Sequence, residues 1–112
     1  MKFLVPRERV TGEKRVAVTP ETARRLQGHR IDIQVESGAG VAAGFPDANY
    51  SAVGASVIAS GHLDWEGCDA VLCVQPPERE SLAPLREGTL LVGLLAPHGA
   101  RELAHFLNRR SV

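Results

Sequence analysis

The chain has 112 residues and a mass of 12.0 kDa, which is one domain's worth and excludes a two-domain enzyme within this length. Hydrophobic residues make up 44% and charged residues 23%, a globular balance that argues against disorder in a chain able to bury roughly two-thirds of its unfolded surface. Thirteen Lys plus Arg cancel 13 Asp plus Glu, so no broad positive field exists to attract nucleic acid or anionic lipid. Cys68 and Cys73 flank an apolar run without a disulfide framework or a metal-type Cys/His cluster, which fits a reducing, cytoplasmic setting. The longest apolar stretch, Thr89 to Pro97, is about half of what a bilayer span needs, and the charged N-terminus (Lys2, Arg7, Glu8, Arg9) is no signal-peptide core.

The elements are legible from apolar runs and the punctuation between them. Phe3-Leu4-Val5 halts at Pro6 and predicts a short, central strand. Thr19-Pro20-Glu21 supplies a cap, a preset φ and a negative charge for a helix running through Ala23 and Leu26, with Gly28 placed to close it in a left-handed conformation. Ile31, Ile33 and Val35 alternate with Asp32, Gln34 and Glu36, which predicts a second strand near a sheet edge. Beyond a glycine-rich loop, Asp47 caps a short helical segment through Tyr50 and Val53 to Gly54, followed by a brief apolar run at Val57-Ile58.

Ala70 to Val74, closed by Pro76-Pro77, and Leu90 to Leu95, closed by Pro97, are continuous apolar strands expected to be covered on both faces. Leu103, Phe106 and Leu107 fall at helical spacing, with Arg101, Glu102 and Arg109 toward water, and predict a final helix. Buried strands separated by helices predict a three-layer α/β sandwich with a mainly parallel, Rossmann/flavodoxin-like sheet. Only Ser111 and Val112 follow Arg110, so residues 1–112 read as a single, incomplete domain or as one closed by a covering helix.

Gly38 to Gly44 invites comparison with a dinucleotide-binding turn. Its spacing misses G-x-G-x-x-G, and it leads into Phe45-Pro46-Asp47 rather than directly into a helix, so a structural turn is the better reading. Arg15, between Glu13-Lys14 and Val16-Ala17-Val18, could hold a carboxylate or phosphate at the sheet's carboxyl edge; the plainer alternative is a surface arginine paired with Glu13 or Glu8. His29, His62, His98 and His105 are scattered, which argues against a metal site; His98 lies where proton transfer would be placed but reads more simply as solvated or capping. Cys73 in an apolar strand behaves as a small apolar group, not a nucleophile.

Taken together, Val5-Pro6-Arg7-Glu8, Gly12 through Pro20, Val35 through Gly40, Phe45 through Tyr50, Val53-Gly54-Ala55, Asp69 through Pro77 and Leu85 through Leu91 resemble, in order, the N-terminal region of the alanine dehydrogenase and NAD(P) transhydrogenase alpha subunit family. In that resemblance Arg15 matches the arginine with which alanine dehydrogenases hold the keto acid. Gln75 stands where their lysine is expected, and Leu94-Leu95-Ala96-Pro97 replaces the segment that carries their histidine; His98 lies two positions late. These departures point to the transhydrogenase branch, with Arg15 and Gln75 as the residues facing the substrate or nicotinamide cleft and no acid–base catalyst in this chain.

The resemblance implies an enzyme that transfers hydride between NAD(H) and NADP(H), coupled to proton translocation. NAD(H) would be bound mainly by a downstream Rossmann domain outside this chain, and no metal is expected. It further implies transmembrane and NADP-binding partner components, a homodimer, and a location on the cytoplasmic side of the inner membrane. Two alternatives stand beside it: a fragment of an alanine dehydrogenase-like enzyme, and a non-catalytic module that binds a protein through the sheet edge where a further strand would pair.

Overall fold

A computed structural model describes residues 1–75, 79–95 and 102–107. Its centre is β1 (Lys2–Val5). Leu4 and Val5 are both fully buried, on opposite faces of the sheet, which is why this strand is apolar without alternation. Pro6, with no N–H to donate, ends it.

The chain then crosses one face through α1 (Pro20–Gly28). The Thr19 hydroxyl accepts from the Thr22 amide at 3.2 Å, Pro20 opens the first turn, and Glu21 pairs with Arg25 one turn on at 3.0 Å. Gly28 closes the helix, but the left-handed residue after it is Arg30, at φ 63°, so the expected conformation falls two positions later than the glycine. His29 caps the end with its backbone N–H.

The second strand, β2 (Asp32–Glu36), pairs in parallel with β1, Lys2 opposite Asp32 through Val5 opposite Val35. It lies one strand in from the edge of the sheet, near it as its alternation suggests. The edge belongs to β3 (Ser56–Ile58), which follows α2 (Asp47–Ala52) and pairs with β2. The alternation in β2 has a different cause from solvent exposure. Ile33 and Val35 pack beneath α1 and α2, while on the other side Gln34 accepts from the Asp64 amide and Glu36 is only 1% exposed.

Residues 59–69 carry the chain back across the sheet, laying Leu63, Trp65 and Cys68 against Leu4 and Val71. There β4 (Ala70–Cys73) pairs with the free side of β1. The short α3 (Arg79–Leu82) leads to β5 (Leu90–Leu95), parallel to β4. With α1 and α2 on one face, and the 59–69 segment, Leu82 and Leu85 on the other, the sheet is sandwiched as a three-layer α/β fold.

The end of the chain departs from the helix expected there. Glu102–Leu107 forms β6, antiparallel to β5 along its whole length, from Leu90 opposite Leu107 to Leu95 opposite Glu102. The few residues 96–101 cannot make a parallel crossover, which takes a dozen or more, so a strand returning at once must run antiparallel. Hydrogen bonding to the open side of β5 outweighs the weak helical spacing of three apolar residues. It also removes the premise of an open β5 edge awaiting a partner strand. Arg101 and Arg109 lie outside the described residues.

Candidate functional site

The sheet order is β3-β2-β1-β4-β5-β6. The chain winds outward from β1 through β2 to β3, then restarts beside β1 at β4. Loops leaving the carboxyl ends of β1 and β4 therefore diverge, and open α/β sheets bind their ligands in the crevice between such loops.

Two carboxylates fasten the loop after β1 across this crevice. On the β4 side, Glu8 accepts the backbone N–H groups of Val74 and Gln75 at 2.8 and 2.9 Å. On the β2 side, the buried Glu36 accepts the Arg7 amide and the Ser60 hydroxyl, each at 2.8 Å, and the Arg9 guanidinium. Burial is the main influence on Glu8 and raises its pKa against the opposing pull of the two amides; the Glu13 charge adds to the rise.

Further along the loop, Arg15 grips Glu13 with two parallel bonds, Nε to Oε2 at 2.9 Å and Nη2 to Oε1 at 2.8 Å. The Arg15 amide also donates to Glu13 Oε2, and Gln75 Nε2 donates to Glu13 Oε1, both at 2.9 Å. The Glu13 side chain is 6% exposed, against 54% for that of Arg15. Held first by the guanidinium and then by Gln75, Glu13 has its pKa drawn down to about 2, and Glu13 raises that of Arg15 in turn.

Glu8, Glu13 and Arg15 line one side of a cleft of about 450 Å³ with Arg7, and Gly38, Ala39, Val41 and Ala42 line the other; Gln75 reaches it only through Glu13. The structure thus brings the two residues read from sequence as cleft-facing, Arg15 and Gln75, to a common partner. The arginine–Glu13 pair that was the plainer alternative for Arg15 is present, but it sits in the crevice rather than on an unrelated surface.

The glycine loop is a structural turn. The amides of Ala39, Val41, Ala43, Gly44 and Phe45 donate to carbonyls of Glu36, Gly38, Gly40 and Val41, so they are not turned toward a phosphate. The Gly38 amide goes to Asp47, which also accepts the Ser37 hydroxyl at 2.6 Å. Asp47 therefore ties this loop instead of capping α2 as expected; Pro46 stands at the cap position. Its pKa is lowered chiefly by the Ser37 hydroxyl. Gly40 is required for space: a Cβ there would lie 2.7 Å from the Tyr50 ring. Tyr50 is fully buried, its hydroxyl donating to the Val18 carbonyl at 2.7 Å.

Cys68 and Cys73 are free and buried. Burial pushes their thiols up to about 11 and about 12, as suits inert core groups. Among the described residues no cluster of three metal-ligating side chains occurs, and no helix is long and apolar enough to cross a membrane. Ala96, Pro97 and His98 lie outside the described residues.

Four acidic residues that organise the site were not singled out from sequence. Glu8 and Glu13 figured only as partners for Arg15, Glu36 as the polar phase of an alternating strand, and Asp47 as a cap. Glu36 carried one available signal, since a glutamate at the carboxyl end of a strand next to Ser37-Gly38 is already at the functional edge of an α/β sheet.

An open, mainly parallel sheet with a cleft at its switch point defines the class: a doubly wound α/β domain, a class whose ligands bind at the carboxyl ends of the strands. Its family is defined by sequence. The model for the alanine dehydrogenase/PNT N-terminal domain matches residues 4–112, and the chain belongs to that family. It is 41% identical over 103 residues to the NAD(P) transhydrogenase subunit alpha of Cereibacter sphaeroides, covering 92% of this chain and 20% of the relative. It is also 41% identical over 91 residues to the alanine dehydrogenase of Halomonas elongata, covering 81% of this chain and 24% of that protein.

Transhydrogenase from Sinorhizobium meliloti superposes with a TM-score of 0.77 at 28% identity, over 88% of this chain and 28% of its own. An L-alanine dehydrogenase structure shares the fold, with a TM-score of 0.63 at 24% identity over 84% of this chain and 32% of its own. The chain spans between 20% and 24% of the length of these two sequence relatives.

Proposed function

We propose that residues 1–112 form a single domain acting as the N-terminal lobe of an NAD(P) transhydrogenase alpha subunit, part of an enzyme that transfers hydride between NAD(H) and NADP(H) coupled to proton translocation. The observation that carries this reading is the side chain beside Arg15. Gln75, which cannot accept or release a proton, reaches Glu13 where the resemblance to alanine dehydrogenases would put a lysine. Hydride transfer between two nicotinamides needs orientation and exclusion of water more than an acid–base group, and a polar lobe closing over the ring supplies both.

In the glycine loop the amides of Ala39, Val41, Ala43, Gly44 and Phe45 are spent internally, which speaks against a phosphate cradle there. NAD(H) would therefore be held mainly by a downstream domain, with Arg15 and Gln75 facing its nicotinamide end. The partners in this reading are that domain, transmembrane and NADP-binding components, and a second copy in a homodimer, on the cytoplasmic side of the inner membrane.

An alanine dehydrogenase role is the second reading, favoured by the equal identity to the Halomonas enzyme. Two assays on the full-length protein separate them. With its membrane components it should reduce an oxidised NAD analogue from NADPH, and alone it should leave NAD unreduced by alanine. Alanine-dependent reduction of NAD, without transhydrogenation, would reverse the assignment.

A further inference from the structure

Three donors converge on the two oxygens of Glu36, at the carboxyl end of β2. Oε1 takes the Arg7 backbone N–H at 2.8 Å, while Oε2 takes the Ser60 hydroxyl at 2.8 Å and the Arg9 guanidinium. Only a carboxylate answers all of them, because a glutamine would turn its own N–H donors toward at least one. The Glu36 side chain is buried, and its ion pair with Arg9 is what lets the charge stay there.

The backbone of the same residue starts the opposite wall of the cleft. The Glu36 carbonyl accepts the Ala39 amide, and the next amide, that of Ser37, goes to Ile58, two residues before Ser60. Arg7 and Gly38 meet between the walls: a Cβ on Gly38 would lie 3.6 Å from Arg7 Cδ. Glu36 thus holds the Arg7 wall by its side chain and the Gly38 wall by its main chain, yet it is not itself one of the cleft's lining residues. Of the arginines in the loop after β1, Arg9 and Arg15 stand in ion pairs. Arg7 makes none among the described residues, so its amide bond to Glu36 and its packing on Gly38 are what place it.

We infer that Glu36 is a positioning residue: it sets the separation of the two walls and the direction of Arg7 across the cleft. The inference rests on the reading of this cleft as the working face of a transhydrogenase lobe.

The test pairs amide hydrogen exchange with kinetics on the full-length protein, the latter with its membrane components. Glu36→Gln should exchange about tenfold faster at Arg7 and across 39–45. It should also lower kcat about tenfold or more at saturating nucleotide, with KM for NAD(H) nearly kept. Asp64→Ala, which breaks the Lys2 ion pair at the opposite end of β1, controls for lost stability and should alter neither. A folded Glu36→Gln protein with wild-type kcat would overturn the inference, as would unchanged exchange in the two walls or an equal fall in Asp64→Ala. Should Glu36→Gln fail to fold, Arg9→Gln serves instead. It removes only the charged partner, so a smaller fall in kcat is expected, and no fall refutes the inference. A wild type that oxidises alanine instead would end the transhydrogenase reading alone; the same variants are then compared on that reaction, and the same outcomes decide.

Discussion

Gln75 donates its side-chain amide to Glu13 at 2.9 Å, and so joins the end of β4 to the loop after β1 through the same carboxylate that Arg15 grips. Its own backbone N–H goes to Glu8 in that loop. The crevice between the diverging strands is therefore closed at its base by two glutamates from one loop, each answering groups at 74–75. The arrangement fixes where Arg15 and Gln75 stand before any ligand arrives, which is the preorganisation a positioning lobe needs.

Glu8→Ala should loosen this base. It leaves the Val74 and Gln75 amides without their acceptor, and unsatisfied buried donors cost about 1–3 kcal/mol. Urea unfolding should show a lower midpoint, with Glu8→Gln, which keeps one acceptor oxygen, falling between the alanine variant and the wild type. An unchanged midpoint for the alanine variant would mean that these bonds hold nothing in place.

Gly40→Ala should destabilise through crowding alone. The backbone there, at φ −95°, accommodates alanine, but the added methyl meets Tyr50 at 2.7 Å and the Phe45 carbonyl at 2.8 Å. Overpacking of this kind costs about 1–3 kcal/mol. Thermal unfolding should register a drop of several degrees, whereas Gly44→Ala, strained at φ 93° but with open space around it, should lose stability without any dependence on Tyr50.

The acid limb of stability should carry a Glu13 signature. Its folded-state pKa of about 2 lies below the ordinary glutamate value of 4.5, so ionised Glu13 contributes stability above 4.5 that drains away as pH falls toward about 2. Glu8, whose pKa is raised, works in the opposite sense. The gap in urea midpoint between wild type and Glu13→Gln should accordingly be widest near neutrality and close through that acid window. A gap that does not vary with pH would remove the charged contact from the account.

Sequence disclosed those parts of this fold that local chemistry dictates. The Leu4-Val5 run before Pro6, the Thr19-Pro20-Glu21 start and the apolar 70–74 and 90–95 segments each encode their element nearby. What stayed hidden depends on neighbours distant in the chain. Nothing local in Ile31 to Glu36 shows that the polar side chains of this near-edge strand bond to Ser60 and Asp64. Glu102–Leu107 is a strand because β5 offers it a ladder, not because its spacing says so. Arg15 and Gln75 could be singled out from sequence, and the structure brings them to a common partner, but Glu13, which joins them, looked like one more charge in a charged run. Only the return of β4 beside β1 gives it a second partner.

The central claim is that this cleft is the working face of the lobe, and Arg15→Ala in the complete enzyme tests it most directly. Hydride transfer from NADPH to an oxidised NAD analogue should be measured at saturating nucleotide, alongside the affinity for NAD(H). Loss of a charged, positioning contact predicts a fall in turnover of about tenfold or more, with NAD(H) affinity largely kept if, as proposed, a downstream domain holds most of the dinucleotide. Unchanged turnover would contradict the account and take Arg15, and the cleft with it, out of the reaction.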